Sequence, residues 1–285
     1  MARAERDWLL IRYAQSSMRV RISKRLCFRV ATVLIAVLIS YLALLCFPQS
    51  FFRWSVTSAH LTLYSDSSFP PEEGKRILEL VEAKLAASPL FSPQMHHSIF
   101  ICNARWRRLV LFNRQYRVGG VNYYPLTSNV FLRDAVIGEN RLISASGNVV
   151  QGDRTLDYFI THELAHTITK KAAGWYHHLK LPEYVSEGYP DYVAKGNSFD
   201  YENAKEAFLS EAPEMDRWGS GLYLRYHFLV AYLLDKKKKS VQELLENPME
   251  QKSVEDEIRK EESREPGSSM QFAPNHLAES QNSHA

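Results

Sequence analysis

From Val30 to Phe47 the chain reads VATVLIAVLISYLALLCF, eighteen residues without a charge. Such a stretch can satisfy its backbone in lipid only as a helix; at ~1.5 Å per residue it reaches about 27 Å, near the lower limit for a ~30 Å hydrocarbon core, and Leu26 to Phe28 can extend it. Ahead of it, residues 1–29 hold eight Arg or Lys against two acidic residues. That bias predicts a cytoplasmic N-terminus, with everything after Phe47 on the outer side of a cell membrane, periplasmic or extracellular. The basic segment is long for a signal-peptide n-region, and no small-x-small cleavage site follows the apolar run. Leu45 lacks the small side chain that a lipoprotein site wants before its cysteine, here Cys46. The expectation is a basic leader over 1–29 and an uncleaved, single-pass anchor over 30–47.

The leader also explains the net charge of +3, because the rest of the chain holds 27 basic and 30 acidic residues. Nothing in that balance calls for nucleic acid as a partner. Of the three cysteines, Cys27 and Cys46 lie in or beside the span, so Cys102 has no intrachain partner in the outer domain.

Within the outer segment, one motif carries chemistry. His162-Glu163-Leu164-Ala165-His166 puts two histidines four apart, one above the other on a helix face. Two imidazoles so placed can share one Zn²⁺ at ~2.0–2.1 Å each. Glu163, one residue past the first histidine, can reach a water on the metal and serve as general base. With 10 His in 285 residues, chance would supply about 0.03 such matches. Asp153 or Thr155 can cap the helix, and Leu156, Phe159, Ile160, Leu164 and Ile168 supply its buried face.

A catalytic site needs a third protein ligand. The longer three-histidine motif is absent, since Thr169 and Ala172 stand where it wants Gly and His. A second helix, from Pro182 towards Gly196, offers Glu187, with Glu183 one turn earlier as the rival. Asp191, four after Glu187, can accept the outer N–H of a ligand histidine. Pro190 removes the helix bond to the carbonyl of Ser186 and predicts a kink just past Glu187.

These residues resemble the gluzincin zinc metallopeptidases, most closely the peptidase MA-like group. Its second element, Pro-x-aromatic-x-x-Glu-Gly-x-x-x-Tyr, is matched by Pro182, Tyr184, Glu187, Gly188 and Tyr192, with 20 residues between His166 and Glu187. The resemblance spans roughly 55–246 and is strongest over 156–192. It implies that His162, His166 and Glu187 bind Zn²⁺, Glu163 is the base, and Asp191 orients a ligand from behind. The family's later Tyr-plus-apolar helix is matched by Tyr223 to Leu233, making Tyr223 the implied oxyanion donor, with Tyr226 and His227 as rivals. It implies a peptide or protein substrate, held in such enzymes along a sheet edge. The implied candidate for that edge is 129–133.

Around the motif the pattern alternates between strand and helix. Strands are predicted at 60–64, 98–102, 129–133 and 142–144, a helix from Pro71 to about Ala87, and a strand or short helix at 108–112. Strands before the zinc helix and helices after it give an α+β domain over 55–248, a small mixed or antiparallel sheet followed by zinc-site helices. The neighbouring pairs His96–His97 and His177–His178 diverge on any regular element and read as solvated loop histidines. Residues 249–285 are polar and read as a disordered tail, within which 253–263 can form a transient helix. Two further readings fit the same residues: a membrane-tethered zinc-binding scaffold that has lost catalysis, favoured by Pro190, and a zinc hydrolase of non-peptide amides or esters.

Overall fold

The computed structural model describes residues 2–216 and 223–264. The fold mixes helices with a small sheet, and helix predominates. The chain divides into two compact units, one of residues 1–181 with 189–199, the other of 182–188 with 200–285.

The first unit opens with α1 (Ala2–Cys46), which contains the apolar stretch Lys24–Cys46, long and apolar enough to be a membrane anchor or a signal sequence. A five-stranded sheet follows, built from β1 (Trp54–Thr57), β2 (Leu61–Ser65), β3 (His97–Cys102), β4 (Gly120–Asn122) and β5 (Val130–Arg133). Its order is β1-β2-β3-β5-β4, with β2, β3 and β5 parallel and the two outer strands antiparallel. A two-stranded ribbon, β6 (Ala135–Val136) and β7 (Arg141–Leu142), leads on towards the motif helix.

Both faces of the sheet are covered, so the central strands are apolar throughout rather than alternating. Tyr64, Phe100, Phe131 and Val121 form one cross-strand row. That row packs with Phe52, with Leu111 and Phe112 of α3 (Arg105–Phe112), and with Leu45 from the last turn of α1. Residues 108–112, left open between strand and helix, are therefore helical. The opposite face carries α2 (Pro71–Ala86), which buries Ile77, Leu78, Val81 and Leu85, and α4 (Leu156–Ala173), which packs on α2, β4 and β5.

The structure corrects several expectations. Residues 129–133 are not an edge, because β5 lies between β3 and β4 with all four of its residues buried. The unbroken run Val130-Phe131-Leu132 is the signature of a strand covered on both faces; the edge on that side of the sheet is the short β4. His97 is not a solvated loop residue; it opens β3 and is buried. His178, closing α5 (Trp175–His178), is buried as well.

The residues of α6 (Glu183–Lys195) are divided between the units, 183–188 to the second and 189–195 to the first. Pro190 sits inside this helix without ending it.

The second unit continues with α7 (Tyr201–Leu209), α8 (Leu224–Ala231), a π-helical turn at Tyr232–Lys236, α9 (Val241–Glu246) and α10 (Gln251–Glu262). Phe228 of α8 packs against Tyr201 and Phe208 of α7 at ring distances of 5.2 and 5.1 Å. Arg225 of α8 holds Glu255 of α10 with two bonds, 2.8 and 2.6 Å. α10 covers the stretch 253–263 read from sequence as a transient helix within the tail, and it buries Val254 and Ile258, an i, i+4 apolar pair. Residues 265–285 of that tail lie outside the described residues.

Candidate metal centre

α4 is buried nearly all round, as a helix laid between other elements must be. Its buried threonines close their own hydroxyls onto the preceding turn: Thr161 bonds the carbonyl of Asp157 at 2.7 Å and Thr169 that of Ala165 at 2.7 Å. The N-terminus is capped from outside. Asn140, in the left-handed conformation at φ 53°, accepts the N–H of Leu156 on its backbone oxygen (2.9 Å) and that of Asp157 on Oδ1 (3.0 Å). Thr155 occupies the cap position but turns its hydroxyl to Asp157 instead, so neither expected cap residue performs that role.

One turn further on, His162 and His166 are 6% and 9% exposed and bring their Nε2 atoms to 3.1 Å. Their rings stand nearly perpendicular, at 84°. Two nitrogens each ~2.0–2.1 Å from a tetrahedral ion would lie about 3.3 Å apart, so the observed separation matches the bite of a single cation. One carboxylate oxygen of Glu187 joins them, with the three candidate ligand atoms all within 4.8 Å of one another. Among the described residues no other group of three His, Cys, Asp or Glu side chains is so placed. Two imidazoles and a carboxylate form a donor set that can hold one metal ion. Glu183, the rival, is exposed and accepts from Tyr226 Oη at 3.2 Å.

Glu163 lies on the sheet side of α4, half-buried against β4. Asn122 Nδ2 donates to its Oε2 at 3.3 Å, and Lys170 Nζ donates to Asn122 Oδ1 at 2.8 Å, which fixes which way the amide points. Gly120 makes the approach possible: a Cβ there would stand 2.6 Å from Glu163 Cγ and 2.7 Å from Leu132 Cδ2. Gly120 also opens β4, the strand against which the carboxylate lies.

Asp191 is fully buried. It accepts a short hydrogen bond from Tyr158 Oη and lies 3.8 Å from Lys195 Nζ. The Tyr158 ring packs beside His162 at 5.9 Å. Tyr158 therefore links Asp191 to the first histidine, a role hidden in the sequence because the tyrosine falls on the core stripe of α4.

In the second unit, Gly188 lets α6 meet α8 closely, since a Cβ would lie 2.5 Å from the carbonyl oxygen of Tyr226. Tyr223 caps α8 in the left-handed conformation at φ 64° and stacks with Tyr226 at 6.3 Å. It lines a cavity of about 520 Å³ with Phe208, Arg225 and Tyr226. His227, the other rival, is buried within α8. No family model matches the chain, and neither does any curated protein.

Proposed function

We propose that the chain is a membrane-anchored, zinc-dependent metallopeptidase of the gluzincin type, with its catalytic domain outside the cytoplasm and peptides or proteins as substrate. The observation that carries this reading is the convergence of His162, His166 and Glu187 on one point, with Glu163 next to the first ligand in the chain. Zinc held there would supply Lewis acidity and make water a far stronger acid near neutral pH. Glu163 is the base, aimed by Asn122; it takes a proton from the attacking water and delivers it to the leaving amine. Asp191 and Tyr158 brace the ligand set from behind. β4, the sheet edge beside Glu163, is the strand along which an extended peptide would add. Tyr223 is the proposed donor to the oxyanion.

Support for an inactive scaffold came from Pro190, yet α6 continues through that residue and Glu187 keeps its place in the cluster. The test uses the full chain in detergent or lipid. Purified protein should contain one zinc per chain and cleave members of a mixed peptide library. Glu163→Gln should retain the metal and lose roughly 10²–10⁴-fold in turnover, the usual contribution of a positioned base. Bound zinc with no turnover of peptides by the parent protein would favour the scaffold, and turnover of esters or non-peptide amides alone would favour the other hydrolase.

A further inference from the structure

We propose that the outward face of α3, with the surface around the end of α1, is itself immersed in the outer leaflet of the membrane, so that lipid head groups and upper acyl chains are a direct partner of the folded domain. This rests on reading α1 as a retained anchor.

The last turns of α1 are part of the domain. Leu45 is 2% exposed within the Phe100–Phe131 cluster. Asn129 Nδ2 donates to the carbonyls of Leu45 and Cys46 at 2.9 and 3.1 Å. Tyr41 Oη donates to the carbonyl of Val110, in α3, at 3.1 Å. No spacer separates the span from the fold.

Length then fixes depth. The apolar stretch Lys24–Cys46 is 23 residues, about 34 Å of helix for a hydrocarbon layer of ~30 Å, so only its last few ångströms can stand clear of the acyl chains. Tyr41 lies five residues, or about 7.5 Å, before Cys46. Whatever is bonded to Tyr41 stands at the boundary between acyl chains and head groups, and that is α3.

The outer face of α3 suits that place. Arg105, Trp106, Leu109 and Val110 fall on one stripe, and the last three are exposed by 37–54%. Phe47, Phe51 and Leu126, 72%, 50% and 43% exposed, continue the patch. They are joined to it by Arg107 donating to the Phe51 carbonyl at 2.7 Å and the Cys46 thiol lying 3.7 Å from the Leu126 carbonyl. Aromatic and aliphatic side chains with a cation beside them are the composition of an interfacial helix. α3 is also rigidly held. Asp66, half-buried as a residue but with a shielded carboxylate, accepts the N–H groups of Asn103 and Ala104, both at 2.9 Å, and pairs with Arg107 at 3.1 Å.

The full chain is reconstituted into phosphatidylcholine vesicles, and intact protein is compared with Trp106→Phe. The fluorescence lost in the variant should be quenched strongly by lipids brominated near the carbonyl end of the acyl chain and weakly by aqueous iodide. Placing the indole one turn along the same face, with Leu109→Trp in the Trp106→Phe background, should restore the lipid-quenched component. Quenching of the Trp106 component by iodide and not by lipid would overturn the proposal. So would protection from both quenchers, which means that a second copy or another protein covers the face. Extraction by alkaline carbonate separates the two levels of the argument: release from the vesicles removes the anchor and this proposal together, whereas an integral protein with iodide-accessible Trp106 leaves the anchor and removes only the immersed face.

Discussion

Glu163 owes its position to a residue with no side chain. The Cβ that alanine would add at Gly120 points straight at the Glu163 side chain, with Leu132 closing the other side. Neither backbone strand nor helix can yield without disturbing the β4–β5 pairing, so Gly120→Ala should lower stability by about 1–3 kcal/mol, as overpacking does. It should also push the carboxylate off Asn122 and reduce turnover while bound zinc is unchanged; equal activity with intact metal content would remove Gly120 from the site. The ligand side is braced differently. Tyr158→Phe deletes the hydroxyl that Asp191 accepts and keeps the ring that packs on His162. Loss of such a supporting bond is expected to weaken zinc affinity 10–100-fold, measurable by competition with a chromogenic chelator. At this scale the sequence speaks unevenly. His162, His166 and Glu187 are legible because metal chemistry restricts residue type and spacing together. Gly120, Asn122, Lys170 and Tyr158 are not, because each earns its role from a contact across the fold that no local pattern encodes.

At the scale of elements, the start of α4 shows how a helix end can be fixed from elsewhere in the chain. Asp157, in its first turn, is nearly fully buried. Burial alone would raise its pKa, but hydrogen bonds from Lys84, Thr155 and Asn140, with the Lys84 charge, outweigh that and hold the carboxyl below its ordinary value. A folded-state pKa below the unfolded one means stability that is fully present above the unfolded value near 3.9 and is lost as pH falls through the folded value. Asp157→Asn should therefore melt lower at neutral pH, by about 2–3 kcal/mol for lost charge-assisted bonds. Its melting temperature should then fall less steeply than the parent's below about pH 4. Parallel curves for the two proteins would show that Asp157 does not carry the acid dependence. Both caps named from sequence lay next to the helix; the one used, Asn140, is sixteen residues before Leu156 and reaches it only through the fold. β5 teaches the same lesson: its apolar run is plainly a strand, but whether a strand is edge or centre depends on its neighbours.

For the whole molecule, sequence patterning marks off leader, anchor, domain and tail at changes in composition, and packing breaks the chain elsewhere. Buried residues lie beyond both ends of the 55–248 span expected of the domain. Val254 and Ile258 of α10 are buried beyond the later limit, while Phe52 and Leu45 are buried before the earlier one. The cause on the N-terminal side is physical: residues 41–47 are apolar enough to belong to a span and equally apolar enough to belong to a core, and composition cannot distinguish the two solvents. The structure gives Leu45 to the core. Leu45→Ala should therefore leave a cavity against Phe100 and Phe131 and lower the unfolding free energy of the domain by about 2–5 kcal/mol. Leu38→Ala is the matched control, the same loss of methylenes two turns earlier, where the side chain is 55% exposed to whatever surrounds α1. In micelles, near-ultraviolet circular dichroism follows the tertiary packing of the domain rather than the helicity of the span. The Leu45 variant should melt well below the parent and the Leu38 variant with it. If both behaved alike, the last turn of α1 would be anchor alone, and the domain would begin only after Phe47.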